Sequence, residues 1–245
     1  MERYSRQLEM PQIGAEGQER LGKSSALVVG AGGLGSALLF CLAGAGVGRI
    51  GIADFDTIAE SNLNRQFLHT TSEIGTDKLD SALARLQAFN PNLRYEPHRC
   101  KVDENNAELL IADYDIVLAA VDNMPARAAL NRACVKLNKP FLNGGVNGMF
   151  GTLQIVEPKK TACLTCIYGQ NSNAPAATSF APVVSTISSL MAQAALLLLL
   201  GLPNPLPDTI LFFDGEHITF EKLSVSRNCS CPVCGEYANA FSRDS

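Results

Sequence analysis

The chain has 245 residues, 47% of them hydrophobic and 18% charged, and its formal net charge is −4. That length and apolar content suffice for one large core, and the small acidic excess argues against a nucleic-acid partner, which would require a surplus of Lys and Arg. The N-terminus has no apolar stretch behind a basic start, and the longest apolar run, from Leu190, is about fourteen residues long where a membrane span needs roughly 20. We therefore expect a cytoplasmic protein in which this run is a buried core helix or a dimer-interface helix.

The first 145 residues alternate short apolar runs with amphipathic stretches, a pattern typical of βαβ units. The pattern predicts a Rossmann-like, mostly parallel sheet with helices on both faces. The predicted strands are residues 25–30, 49–56, 94–99, 115–122 and 140–146, and the predicted helices are residues 33–45, 77–89 and 126–137.

The last third of the chain has a different pattern. Residues 149–158 and 208–225 alternate apolar and polar side chains, as antiparallel strands do, and they flank an apolar helix predicted over residues 183–200. We expect a single domain in three parts: an N-terminal arm with helices (1–25), a nucleotide-binding α/β part (26–150), and antiparallel strands with the apolar helix and a metal knuckle (151–245).

A glycine-rich turn lies between the first predicted strand and the first predicted helix. Gly30, Gly32, Gly33 and Gly35 satisfy the pattern G-x-G-x-x-G, and Asp54 ends the next strand. Glycines let the backbone approach a phosphate at a helix N-terminus, and an acid at that distance accepts hydrogen bonds from ribose hydroxyls. The motif predicts nucleotide binding without deciding which nucleotide; a glycine turn with no ligand is the alternative.

Two basic residues and one acidic residue follow this turn at positions where a dinucleotide dehydrogenase needs no charged side chain. Arg65 lies about ten residues after Asp54, Lys78 lies about a turn into the following helix, and Asp122 lies at the carboxyl end of the fourth strand. Phosphoryl and nucleotidyl transfer need such cations, and an acid facing a triphosphate requires Mg²⁺ between them. Spacing alone leaves a second interpretation open, with Arg65 and Lys78 as solvated surface charges and Asp122 as a helix N-cap.

Two C-x-x-C pairs predict a metal site. Cys163 with Cys166 and Cys231 with Cys234 supply four thiolates, which complete a tetrahedral Zn²⁺ site that is structural because no coordination position stays open. A redox motif and buried free thiols are the alternatives, and Cys229 competes with Cys231 as a ligand.

Several long motifs occur in one order: "RYSRQ", "VVGAGGLGS", "LAGAGVGRIGIADFDTIAESNLNRQFLH", "GTDKLDSA", "VDN" and "CPVCG". From about Arg3 to Gly235 the chain resembles the MoeB/ThiF family, bacterial relatives of ubiquitin-activating enzymes. The resemblance implies a homodimer that binds ATP and Mg²⁺ and adenylates the C-terminal Gly-Gly carboxylate of a small ubiquitin-like sulfur-carrier protein. It favours Cys231 over Cys229 as the zinc ligand.

The resemblance also implies roles for individual residues. Asp122 and Asn123 would hold Mg²⁺ and nucleotide, and Arg6 would enter the active site of the partner subunit, although from its sequence context alone Arg6 is a surface charge in a mobile N-terminus. The implied catalytic residues are Arg6, Arg65, Lys78 and Asp122. The implied ATP-binding residues are Gly30, Gly32, Gly33, Asp54, Asp56, Ser61, Asn62, Asn64, Arg65, Gln66, Lys78, Asp122 and Asn123.

One departure from the family refines the expected chemistry. Sulfur-transferring relatives often carry a cysteine in the loop before the apolar helix, whereas residues 169–181, "GQNSNAPAATSFA", contain none. A thiolate is the nucleophile that such exchange needs. We expect adenylation only, with sulfur supplied by a separate protein. The alternatives are a catalytically silent scaffold for a carrier protein and an NAD-dependent oxidoreductase, and the sequence does not name the carrier or its pathway.

Overall fold

An eight-stranded sheet runs through the computed structural model, which describes residues 2–169 and 178–235. Its strands are β1 (Ser25–Val29), β2 (Arg49–Asp54), β3 (Arg94–Arg99), β4 (Ile116–Ala119), β5 (Phe141–Asn147), β6 (Phe150–Val156), β7 (Thr209–Asp214) and β8 (Thr219–Ser224). The helices in these ranges are α1 (Ser5–Leu8), α2 (Gly14–Lys23), α3 (Gly33–Ala45), α4 (Lys78–Phe89), α5 (Ala107–Ile111), α6 (Met124–Lys136), α7 (Leu164–Tyr168) and α8 (Ala181–Leu199).

The strand order is β3-β2-β1-β4-β5-β6-β7-β8. Strands β1 to β5 pair in parallel, and β6, β7 and β8 add in antiparallel orientation. The chain places β2 on one side of β1 and β4 on the other. In open α/β sheets, such a reversal opens a crevice at the carboxyl ends of the strands, where ligands bind.

Helices cover both faces of the parallel part, so its central strand β1 is apolar from Ala26 to Val29. In β1, Ala26 and Val28 face a core formed with α3, α4 and α8, whereas Leu27 and Val29 face a second core formed with α5 and α6. All five residues of β1 are buried. This arrangement confirms the predicted fold class.

The antiparallel part follows the predicted pattern with one refinement. The stretch predicted over residues 208–225 is divided by a turn into the neighbouring strands β7 and β8. β8 is the last strand of the sheet, and its six residues are all exposed.

Helix α8 begins two residues before and ends one residue before the helix predicted over residues 183–200. It has 19 residues with a mean hydropathy of 1.7, and by length and composition it alone among the described helices could cross a membrane. Half of its most apolar window is buried, and Val183, Ile187, Met191 and Ala195, each four residues apart, pack in the core. This face of α8 therefore belongs to the core, one of the two predicted uses of the run.

The N-terminal segment is docked rather than free. The Tyr4 hydroxyl accepts a hydrogen bond from Nδ2 of buried Asn90 (2.9 Å), and Nε2 of Gln7 donates to Oε1 of Gln18 (2.6 Å) and to the carbonyl of Ala45 (3.1 Å). These contacts hold α1 against the C-terminal ends of α3 and α4. The expectation of a mobile N-terminus is therefore wrong for this segment.

Candidate functional site

The glycine turn between β1 and α3 is fixed by close backbone approaches. Gly30 has φ of +104°, a left-handed conformation that favours glycine, and its amide donates to the carbonyl of Ala53 (2.8 Å). A Cβ added at Gly35 would overlap the carbonyl oxygen of Gly30. The first glycine is needed for conformation, and the last for the packing of α3 on the turn.

Asp54 secures this turn before any ligand arrives. Its Oδ2 accepts from the amide of Ala31 (2.6 Å), and its Oδ1 accepts from the amides of Phe55 (2.8 Å) and Asp56 (2.9 Å). A carboxylate offers about four acceptor positions, so an acceptor position remains for a ribose hydroxyl. The predicted ribose-binding residue is therefore also the anchor of the glycine turn.

His69 holds the same peptide from its other side. Its Nε2 lies 3.1 Å from the carbonyl oxygen of Ala31, and its Nδ1 lies 2.9 Å from Oγ of Ser81 in α4. Because a carbonyl only accepts, Nε2 carries the proton and Nδ1 accepts from Ser81. Burial lowers the pKa of His69, so the neutral ring acts as a brace between the glycine turn and α4.

Lys78 is the first residue of α4, directly after its N-cap Asp77. A cation at this end opposes the helix dipole. Its ammonium is nevertheless buried, with 7% of the side chain exposed, and pairs with Oδ2 of Asp56 at 2.9 Å. The predicted interpretation of Lys78 as a solvated surface charge is therefore wrong.

Arg65 lines the cleft beside the glycine turn. Its Nη1 donates to the carbonyl of Ser61 (2.8 Å) and to Oδ1 of Asn64 (2.9 Å), which orients the guanidinium. Asn62 accepts from the amide of Ala59 (3.0 Å) and so caps a short 3-10 helix. Ser61, Asn62 and Asn64 do not line the cleft, and they support Arg65 or its loop instead.

Asp122 and Asn123 follow β4 at the carboxyl edge of the sheet. Oδ1 of Asn123 accepts from the amide of Ala126 (3.0 Å) and caps α6, which begins at Met124 rather than at the predicted residue 126. Asp122 is exposed and lines the cleft. The N-cap role proposed as the alternative for Asp122 thus belongs to Asn123, and the Asp122 carboxylate stays available for a cation.

One cleft brings most of the predicted residues together. It opens at the carboxyl ends of β1, β2 and β4, where the reversal in strand order places it. The predicted residues that line it are Gly30, Gly32, Gly33, Asp54, Asp56, Arg65, Gln66, Lys78, Asp122 and Asn123. A glycine turn, two cations and a free carboxylate in one cleft form a set of groups that can hold a metal-bound polyphosphate.

Some lining residues fall outside the sequence predictions. Phe55 and Lys101 lie at the cleft, with the Lys101 ammonium 6.0 Å from the ring centroid of Phe55, and Arg127 is buried in its wall. A signal for Arg127 exists in the sequence, because it lies four residues after the helix cap Asn123, where the helix dipole disfavours a cation.

Arg6 lies far from this cleft. Its side chain is 92% exposed and meets Glu9 of the same helix at 3.5 Å. The segment that carries it packs on the C-terminal ends of α3 and α4, whereas the cleft lies at their N-terminal ends.

The four predicted cysteines form one cluster. Their Sγ atoms all lie within 4.8 Å of one another, and the closest pairs are 3.3 Å (Cys166 and Cys234) and 3.7 Å (Cys163 and Cys231) apart. Tetrahedral zinc with bonds of about 2.3 Å holds its sulfurs about 3.8 Å apart, whereas a disulfide needs about 2.05 Å. The cluster therefore fits a metal ion, and Cys229 is exposed and lies outside it.

Comparison with known proteins places the chain in a family. The model of the ThiF family matches residues 4–233. The chain belongs to the ThiF family. A sulfur carrier protein adenylyltransferase from Thermus thermophilus is 39% identical over 96% of this chain and 91% of its own length. An adenylyltransferase and sulfurtransferase MOCS3 from Culex quinquefasciatus is 36% identical over 96% of this chain, which spans 55% of that longer protein.

A solved structure shares the fold of this ThiF-family chain. E. coli MccB crystallised with ATP superposes with a TM-score of 0.84 over 96% of this chain and 75% of its own, at 24% identity. The oxidoreductase alternative rested on the glycine turn and Asp54 alone, and the family assignment favours adenylation.

Proposed function

We propose that this chain is an ATP-dependent adenylyltransferase that activates the C-terminal Gly-Gly carboxylate of a ubiquitin-like sulfur-carrier protein, with the whole chain acting as one adenylation domain in the cytoplasm. The observation that carries the proposal is the single cleft in which the glycine turn, Arg65, Lys78 and Asp122 meet. The names of the Thermus thermophilus and Culex quinquefasciatus relatives support the reaction and, for the former, the class of substrate.

The chemistry follows from charge. A carboxylate oxygen of the carrier attacks the α-phosphorus of ATP, the bond to the bridging oxygen breaks, and pyrophosphate leaves with that electron pair. Both reactants are anions, so Arg65 and Lys78 lower their repulsion and stabilise the charge that develops around phosphorus. No general base is needed, because a carboxylate is already ionised at neutral pH, and this agrees with the buried, neutral His69.

The nucleotide would lie across the glycine turn. Its ribose would meet the remaining acceptor position of Asp54, and its phosphates would meet the N-terminus of α3 together with Arg65 and Lys78. Asp56, paired with Lys78, and Gln66, whose Oε1 is buried without a hydrogen-bond partner among the described residues, complete the proposed nucleotide contacts. Ser61, Asn62 and Asn64 support this site by holding Arg65 and its loop.

Two metal ions belong to the proposal. Asp122, with Asn123 beside it, is the proposed ligand for Mg²⁺, which supplies positive charge next to the phosphates. The donor set of Cys163, Cys166, Cys231 and Cys234 suits Zn²⁺, because four thiolates fill a tetrahedral shell and leave no position for a substrate. The zinc site is proposed to be structural: it ties residues 231–234 to the start of α7.

A homodimer explains the position of Arg6. Helix α3 has 13 residues and is therefore about 20 Å long, and α1 is docked at the far end of α3 from the glycine turn. An arginine side chain cannot bridge that distance within one subunit. We propose that Arg6 enters the cleft of a partner copy.

Sulfur transfer is proposed to belong to a separate protein. Residues 169–181 contain no cysteine, although residues 170–177 lie outside the part of the chain that the structure describes. The acyl-adenylate would be the product that the sulfur-donating protein consumes.

ATP–pyrophosphate exchange that depends on a Gly-Gly-ending carrier protein tests the proposal. We expect exchange with the wild-type chain and its loss with Arg65→Ala at an unchanged thermal midpoint. ATP binding without exchange for any carrier would favour the scaffold alternative. Binding of NAD in place of ATP would favour the oxidoreductase, and exchange that survives Arg65→Ala would refute the role of Arg65.

A further inference from the structure

Arg127 joins β5 to the loop that follows β4, at the wall of the cleft. It lies in the N-terminal part of α6 and is 8% exposed. Its Nη1 donates to Oδ1 of Asn143 and to the carbonyl of Gly144 (2.6 Å), and its Nη2 donates to the carbonyl of Val121. Asn143 and Gly144 belong to β5, and Val121 directly precedes Asp122. One guanidinium therefore ties the loop that carries Asp122 to β5.

All three acceptors are neutral oxygens, and none of the ion pairs within residues 2–169 and 178–235 includes Arg127. Burial lowers the pKa of Arg127 to about 10, so the group still carries its proton at neutral pH. The Asp122 carboxylate attracts it through space, but Asp122 points into the cleft instead of pairing with it. The cleft thus contains a buried positive charge in addition to Lys78.

This arrangement is unfavourable for stability on two counts. Burying a cation without a carboxylate partner costs several kcal/mol, and a cation near the N-terminus of α6 also opposes the helix dipole. A methionine could fill similar space at lower cost. Side chains that break local rules in this way are concentrated at functional sites, which points to the ligand that the cleft accepts.

We infer that Arg127 is a positioning residue for the metal–nucleotide complex: its hydrogen bonds set the backbone that orients Asp122, and its unneutralised charge offsets the negative charge that the phosphates and Asp122 bring together. The inference rests on the proposed function, because it needs a polyphosphate with Mg²⁺ in this cleft. It assigns Arg127 no contact with the reacting atoms.

A purely structural brace is the competing explanation, and α6 offers a matched control. Asn131 lies four residues further along the same helix and is fully buried. Its Oδ1 accepts from the amide of Leu164 (2.9 Å), and its Nδ2 donates to Oγ1 of Thr165 (3.2 Å). Asn131→Ala therefore removes buried hydrogen bonds from α6 without touching the cleft.

The test compares Arg127→Met, Arg127→Lys and Asn131→Ala in the full-length chain. The readouts are the thermal midpoint, the increase in that midpoint on adding ATP and Mg²⁺, and the Mg²⁺ concentration that gives half-maximal carrier-dependent exchange. Since misplacing a reacting or ligating group by about 1 Å costs up to about a hundredfold, we expect Arg127→Met to raise the half-saturating Mg²⁺ concentration about tenfold or more. Arg127→Lys keeps the positive charge but loses the several hydrogen bonds that the planar guanidinium donates. We therefore expect an intermediate increase in the half-saturating Mg²⁺ concentration. Asn131→Ala should lower the thermal midpoint and leave the Mg²⁺ dependence unchanged.

The inference would be overturned if Arg127→Met and Asn131→Ala had the same half-saturating Mg²⁺ concentration for exchange. If Arg127→Met does not fold, Arg127→Lys provides the test. A wild-type half-saturating Mg²⁺ concentration in Arg127→Lys would then show that the guanidinium hydrogen bonds do not position Asp122. If the wild-type chain shows no exchange with any carrier, the proposed reaction fails, whereas the ATP- and Mg²⁺-induced increase in thermal midpoint still tests Arg127. We expect that increase to be smaller by a few degrees in Arg127→Met.

Discussion

Lys78 and Asp56 form an ion pair beside the glycine turn, with 2.9 Å between the ammonium nitrogen and Oδ2 of the carboxylate. The two partners are unequally buried, since 7% of the Lys78 side chain and 50% of the Asp56 side chain are exposed. Asp56 thus holds the Lys78 ammonium in the cleft. A triphosphate carries more negative charge than Asp56 and can share or take over this contact.

Lys78→Met should therefore abolish most of the reaction while keeping the fold. Removing one group that stabilises the developing charge costs about 10²–10³ in rate, so we expect a decrease of that size in carrier-dependent ATP–pyrophosphate exchange. Lys23→Met is the control, because Lys23 pairs with Glu19 on the surface of α2 and exposed pairs contribute about 0–1 kcal/mol. Equal exchange rates for both variants would contradict the role of Lys78.

The glycine turn gives a second prediction, with a control in another helix. Gly35→Ala places a methyl group against the carbonyl of Gly30, and overpacking of this kind costs about 1–3 kcal/mol. We expect a lower thermal midpoint and weaker ATP binding by calorimetry. Gly22→Ala adds its methyl group in open space on α2, so it should be neutral or stabilise by up to about 1 kcal/mol. Unchanged ATP affinity in Gly35→Ala would show that the turn does not cradle the nucleotide.

Local patterns predicted the parts of the fold that local physics determines. The β1 strand, the glycine turn and α4 lie where the sequence predicts them, because apolar runs, glycines and the cap at Asp77 act within a few residues. Strand β4 ends at Ala119, three residues before the predicted end at residue 122, because the chain leaves the sheet there to reach the cap of α6. The apolar run in the sequence predicts which residues are buried, but it does not predict where strand pairing ends.

Contacts between distant parts of the chain were beyond sequence reasoning. Docking of the N-terminal segment depends on Tyr4 meeting Asn90 and Gln7 meeting Ala45. The sequence places Arg127 near the start of a predicted helix, but it does not identify the acceptors of Arg127 in β5. These interactions join residues that are far apart in the sequence, so neither hydrophobic periodicity nor motif spacing predicts them.

Metal content tests the cysteine cluster. We expect one zinc ion per chain by elemental analysis, and Cys234→Ser should remove it and lower stability by several kcal/mol, because binding energy at a structural zinc site contributes directly to folding. Cys229→Ser is the matched control, since Cys229 lies in the same short segment but is exposed and outside the cluster. A chain that is free of metal and as stable as the zinc-bound protein would refute the proposed site.

Stability should depend on pH through two histidines, the buried His69 and the partly buried His98. Burial lowers the pKa of both His69 and His98 in the folded chain. Below about pH 6.5, these rings are protonated more fully in the unfolded chain than in the folded chain. The free energy of unfolding therefore falls as the pH decreases through that range. The slope is at most about 1.4 kcal/mol per pH unit for each ring.

Urea unfolding at pH 7.5 and 5.5 measures this effect above the range in which most carboxylates titrate. His69→Gln and His98→Gln each lose hydrogen bonds and are less stable at both pH values. The difference between the two pH values should nevertheless shrink in each variant. A difference as large as in the wild type would show that the imidazole does not cause it.

Subunit mixing tests the action of Arg6 across a dimer. Arg6→Ala and Lys78→Met are each expected to be inactive alone. In a mixed dimer, the cleft of the Arg6→Ala subunit keeps Lys78 and receives Arg6 from its partner, whereas the other cleft lacks both groups. Random exchange of equal amounts makes about half of the dimers mixed, with one working cleft of two, so about a quarter of wild-type exchange should return. If Arg6 acts within its own subunit, no cleft in the mixture is complete and activity stays absent. Size-exclusion chromatography with light scattering on the same mixture verifies that the dimer is present. If the dimer is present and activity does not return, Arg6 does not act in the cleft of the partner subunit.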